Sequence, residues 1–326
     1  MKEYLEGLRF KFNYDNELLL FLEKAIPCII KYYGQEYENL VFDALNNCEI
    51  HIQNHGEIPK EYLNSYFEVD REWEMPILGG AFHHNEIELE DGVIKSKHIV
   101  YMKTMYFNQY MPFDFSDEKK LNTLVHEICH LVKSYNKIRQ ENGKIVDYSG
   151  LIKTSYNYDD LDNIEEEKSE MVGIEEAINE VDTVSILTMI TGKEQEITGY
   201  RRAGYLAEML LEHKDIAAVI KKSQLNGDSS WIEYLGSESK KIIESFDSLV
   251  NMMYVSPSDL MDEEKMDRLY NEADQAHYYL EDFIDNYCTK EDLVAFEQAI
   301  NIADMKTVEI IKEINSMKRE NVGRSL

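Results

Sequence analysis

The chain has 326 residues, 44% of them hydrophobic and 30% charged, a globular composition that suits one large domain or two. A chain this long can bury roughly three-quarters of its unfolded surface, so it needs no disulfide framework. Its 63 acidic residues against 34 basic ones give a formal charge of −29, which argues against nucleic acid or an anionic membrane as partner, because both are held by local lysine and arginine.

The segment from Met1 to Phe10 is charged throughout and lacks a signal peptide's apolar stretch. No segment approaches the ~20 apolar residues that span a bilayer. Cys28, Cys48, Cys129 and Cys288 are scattered, with no C-x-x-C pair, as in reduced thiols of a cytoplasmic protein. The expectation is therefore a cytoplasmic location. Oligomeric state leaves no readable trace.

In chain order, Leu18, Leu19, Leu22, Ala25, Ile26, Ile29 and Ile30 recur at helical spacing. They predict a helix over 15–33 that Pro27 should kink or interrupt. A second helix is expected over 37–46, and Glu49 to Gln53 alternates as a short strand. Ala81 to Leu89, the turn pair Asp91-Gly92 and the β-rich run Ile99 to Tyr106 predict a small, mostly antiparallel sheet. From about residue 115 the pattern turns helical and is expected to stay so. Ser116 serves as N-cap, with acidic Asp117 and Glu118 in the first turn. Beyond Gly192 amphipathic helices are expected at roughly 199–223, 238–254, 262–286 and 290–318, separated by loops at Gly227–Ser230 and Ser256–Ser258. The fold class is α+β, followed by a helical bundle.

The segment Thr123 to Val132 contains His126-Glu127-x-x-His130. On a helix, residues four apart share a face, so both imidazoles can bind one metal ion. Glu127 sits beside them, placed to take a proton from a water that such an ion activates. Leu121, Leu124, Val125, Ile128, Leu131, Val132 and Tyr135 form a separate apolar stripe. A chance match to the pattern would sit on a solvated face with charges scattered around it; here the metal-binding face backs onto a core-facing one.

On these residues the chain resembles the zincin metallopeptidases, and among them the glutamate-ligand branch, the gluzincins. No H-x-x-G-x-x-H follows His130, so the metzincin branch does not fit. A catalytic zinc takes three protein ligands and leaves one open position. The resemblance implies that the third ligand lies in Gly173 to Asp182, which looks like the second helix of a gluzincin. In that branch an acid four residues after the ligand glutamate supports a zinc histidine. Glu176 and Glu180 have that spacing, whereas Glu175 is followed by Asn179. Helical periodicity alone does not separate Glu176 from Glu175. The gap from His130 to Glu176 is nearer that of lethal-factor-like peptidases than of the thermolysin-like group. Those relatives often place an oxyanion-stabilising tyrosine seven residues before the ligand glutamate; here that position is Ser169. Tyr148, Tyr156, Tyr158, Tyr200, Arg201 and His213 are weaker candidates for that donor.

The resemblance implies a zincin-like catalytic domain over 1–192 and a helical domain over 193–326. It further implies a zinc-dependent endopeptidase acting on peptide or protein substrates, with one Zn²⁺ per chain held by His126, His130 and Glu176, Glu127 as general base and Glu180 as supporting acid. The alternative is a catalytically degenerate zincin-fold binding module, against which the intact Glu127 argues. His83 and His84, adjacent on a strand, point to opposite faces and do not easily share a metal. Cys129 is expected to be a small core residue.

Overall fold

In the computed structural model, the described residues are 2–11, 16–53, 81–90, 93–103, 105–106, 109–110, 113–141, 143–158, 164–251 and 262–285. After a short helix α1 (Lys2–Lys11), the predicted first helix is α2 (Asn16–Tyr33). It continues through Pro27. The proline costs about 3 kcal/mol in a helix interior, but Leu18, Leu22, Ala25, Ile26, Ile29 and Ile30 are all buried along α2, each large apolar side chain contributing about 1.5–3 kcal/mol. Helix α3 (Glu38–Asn46) buries Val41, Phe42 and Leu45 beside it.

Strands β1 (Cys48–Gln53), β2 (Ala81–Glu90) and β3 (Val93–Lys103) form a sheet in the order β1-β3-β2. Strands β2 and β3 pair antiparallel with Glu90 opposite Val93; the predicted turn pair Asp91-Gly92 lies outside the described residues. Strand β1 runs parallel to β3, with Cys48 opposite His98. A parallel pair cannot be closed by a tight hairpin, and here β2 stands between β1 and β3 in the chain. A two-stranded ladder, β4 (Met105–Tyr106) with β5 (Gln109–Tyr110), follows.

The H-E-x-x-H segment lies in helix α4 (Glu118–Ser134). Its N-cap is Asp117, whose side chain accepts from the Lys119 amide at 3.0 Å. Ser116, the predicted cap, is engaged one step earlier, where its amide and hydroxyl both donate to Asp114. The predicted apolar stripe of α4 enters the core formed by α2 and α3, with Tyr135 packed against it.

Between α4 and the next helix the helical expectation fails. Strands β6 (Arg139–Glu141), β7 (Lys144–Ser149), β8 (Ile152–Tyr158) and β9 (Ile164–Glu170) form an antiparallel sheet in chain order. Strand β7 is buried from Ile145 through Tyr148, so it does not alternate as a half-buried strand would. The turn signals were present. Asn142-Gly143 is a strong hairpin pair, and Gly143 and Gly150 have φ of +80° and +64°.

Helix α5 (Val172–Thr191) is followed by α6 (Arg201–Glu212), α7 (Lys214–Asn226), α8 (Ser230–Leu235), α9 (Ser239–Asn251) and α10 (Glu263–Asp285). The single helix expected over 199–223 is broken at His213, which is extended at φ −74° and ψ 99°. The helix expected over 290–318 and the loop at Ser256–Ser258 lie outside the described residues. Two compact units divide the chain. One comprises Met1–Val172, Asp182–Glu196 and Ile220–Trp231; the other comprises Gly173–Val181, Ile197–Val219 and Ile232–Leu326. Helix α5 is thus continuous across the division. Among the described residues, no helix is long and apolar enough to cross a membrane.

Candidate metal centre

His126 and His130 are one turn apart on α4, each largely buried, and their Nε2 atoms lie 3.2 Å apart. Two nitrogens bound tetrahedrally to one zinc, each at about 2.0–2.1 Å, lie about 3.3 Å apart. The imidazole pair therefore has the spacing that a shared ion needs. Glu176, half-buried on α5, completes the set: one ligand atom from each of His126, His130 and Glu176 lies within 4.8 Å of the others. Two imidazoles and a carboxylate are a donor set suited to a first-row divalent ion. Among the described residues this is the one grouping of three such side chains.

The structure separates the two adjacent glutamates that periodicity left open. Glu176 joins the histidines, whereas Glu175 is fully buried, about 100° away around the same helix. Glu127, also buried, follows His126 directly. Glu180 is buried one turn after Glu176, and its Oε1 accepts from the backbone amides of Thr198 at 2.9 Å and Gly199 at 2.7 Å. A Cβ at position 199 would sit 3.2 Å from Glu180 Oε2, so glycine permits this close approach. Glu180 thus braces the segment that enters α6.

The motif helix is held at its end as well as along its stripe. Ser134 donates to the carbonyl of His130 at 2.6 Å and its hydroxyl meets that of Ser149, at the end of β7, at 2.5 Å. Lys133, one turn beyond His130, is completely buried and pairs with Asp182 of α5 at 3.2 Å. Asp182 also accepts from the hydroxyls of Tyr32 at 2.7 Å and Tyr33 at 3.1 Å. Burial, followed by the Asp182 charge, raises both phenols well above their ordinary pKa, so they act as donors. Sequence reasoning missed this network. Its one local signal is that Lys133 stands seven residues after His126, on the same helical face.

Ser169, on β9, exchanges a hydrogen bond with Thr154 at 2.9 Å. The Tyr148 hydroxyl donates to Glu141 at 3.3 Å, and the Arg139 guanidinium lies 4.4 Å above its ring. Tyr200 has φ of +41° immediately before α6. His83 and His84 pair with Val100 and Ile99 across the sheet. Cys129 is fully buried, and burial pushes its thiol up to about 12, the behaviour of an inert core residue.

No protein-family model matches this chain, and no curated protein or solved structure is significantly similar to it.

Proposed function

We propose that this chain is a zinc-dependent endopeptidase of the gluzincin type, working on peptide or protein substrates in the cytoplasm. One observation carries the reading: two histidines at helical spacing and a distant glutamate converge within 4.8 Å, with a buried glutamate between the histidines in sequence. In this reading His126, His130 and Glu176 hold one zinc ion. When bound, zinc polarises a water molecule and the scissile carbonyl, bringing the water's pKa to about 7. Glu127 accepts the water's proton and passes it to the departing amine nitrogen. Glu180 keeps the ligand helix in place through the Thr198 and Gly199 amides, and any support it gives a zinc histidine runs through Oε2. Strand β2 is an edge of its sheet among the described residues, and we assign to it the alignment of an extended substrate by strand addition. The order of elements, a small sheet before the motif helix and a glutamate-bearing helix after it, supports a zincin-like fold. Cys28, Cys48 and Cys129 are free thiols, in keeping with a reducing compartment.

The deciding variant is Glu127→Gln, assayed for zinc content and for hydrolysis of a mixed peptide library. It should retain about one zinc while its cleavage falls by about 10²- to 10⁴-fold, the usual contribution of a general base. Undiminished cleavage would sink the mechanism. The alternative, a degenerate binding module, draws on Ser169 standing where related enzymes carry a tyrosine. It predicts a wild-type protein that cleaves nothing and binds its partner whether or not chelator is present.

A further inference from the structure

We propose that the buried Lys133–Asp182 ion pair is a positioning device for the metal centre: it fixes the offset between α4 and α5, and with it the reach of Glu176 toward His126 and His130. The inference rests on the metal-centre reading above and goes beyond it by assigning work to residues that would not touch the ion. Lys133 follows His130 by three residues, about 4.5 Å along α4. Asp182 follows Glu176 by six, about 9 Å along α5. A single contact at 3.2 Å therefore links the two helices within two turns of every ligand.

The pair is built to hold one geometry. Both side chains are out of water, Lys133 wholly and Asp182 nearly so. The Asp182 carboxylate receives three donors, from Lys133, Tyr32 and Tyr33. The tyrosines end α2, and Lys221 of α7 fixes them in turn: its Nζ donates to the Tyr32 carbonyl at 2.5 Å and lies 4.1 Å above the Tyr32 ring. Helices α2, α4 and α5 thus meet at one carboxylate, and α7 is tied to it through Tyr32. A buried ion pair is a poor device for stability, because well-packed apolar side chains in its place are often neutral or stabilising. What it does supply is a penalty for slippage, since a shift along either helix leaves a charge unpaired. A metal site needs this, because ligand distances must hold to about 0.2 Å.

The test compares wild type with the double variant Lys133→Met/Asp182→Asn, which removes both charges together and keeps an amide oxygen for the tyrosines. Three quantities are measured: thermal unfolding of the apoprotein, zinc affinity by chelator competition, and the visible absorption of the cobalt(II)-substituted protein. The expected result is an apoprotein that unfolds within a few degrees of wild type, binds zinc about tenfold more weakly, and shows an altered cobalt spectrum. Wild-type affinity and an unchanged spectrum in the double variant would overturn the proposal. Should that variant not fold, Tyr32→Phe/Tyr33→Phe decides by the same readouts. It should bind about threefold more weakly, as loss of a hydrogen bond implies, with a shifted cobalt band; no change would overturn the proposal. A wild-type protein that binds neither zinc nor cobalt would remove the metal centre itself, and this inference with it.

Discussion

Glu175 and Glu176 are neighbours in the chain, yet only one of them reaches the histidines. Replacing Glu176 by alanine should weaken zinc binding by more than about 100-fold, beyond the range seen for outer-shell partners. Glu175→Gln should leave one zinc per chain. Metal analysis of the two purified variants checks both. A second residue-scale prediction concerns His98 on β3, which is fully buried and held neutral because burial lowers its pKa to about 4. The unfolded chain takes up this proton near pH 6.5, the folded one only near 4. The stabilisation is therefore complete above pH 6.5, declines as pH falls toward 4, and amounts to about 3 kcal/mol. Denaturant midpoints at pH 7 and pH 5 should differ less in His98→Gln than in wild type.

At the scale of elements, the start of α5 depends on a glycine and an aspartate. Asp247 of α9 accepts from the Gly173 amide at 2.7 Å, satisfying one of the donors that a helix N-terminus leaves unpaired. A Cβ on residue 173 would lie 2.5 Å from the Asp247 backbone, a clash that no side-chain rotation relieves. Gly173→Ala should cost roughly 1–3 kcal/mol through overpacking and should weaken zinc binding by displacing Glu176. Unfolding measurements with a zinc titration would detect both. The elements also differ in how far the sequence foretold them. Helix α4 was legible because its apolar stripe and the His126/His130 pair obey one helical period, although its cap fell on Asp117 and not on Ser116. The β6–β9 sheet was not, because β7 is buried along most of its length while β9 carries charge at most positions, and neither pattern alternates.

For the molecule as a whole, a metal that binds only the folded state adds stability by mass action. At a free zinc concentration 100 times Kd the gain is about 2.7 kcal/mol. Saturating zinc should raise the thermal transition by several degrees, and His126→Ala/His130→Ala should abolish the rise. The two units need not melt together, so the shift belongs to the transition that includes α4. The formal charge of −29 bears on solubility and encounter, not on which fold forms.

The sequence by itself determined the local facts: the helical phase of His126, Glu127 and His130, the buried stripe behind them, and a downstream stretch able to offer a carboxylate. Such facts depend on residues three or four apart, and helix geometry converts that spacing directly into a shared face. Only the tertiary structure decided between Glu175 and Glu176, because α5 is buried on nearly every side of its first three turns and so carries no amphipathic signal to fix its rotation. The same holds for Lys133 and Asp182, 49 residues apart. Their meeting depends on how α2, α4, α5 and α7 pack, and no period in the chain encodes that.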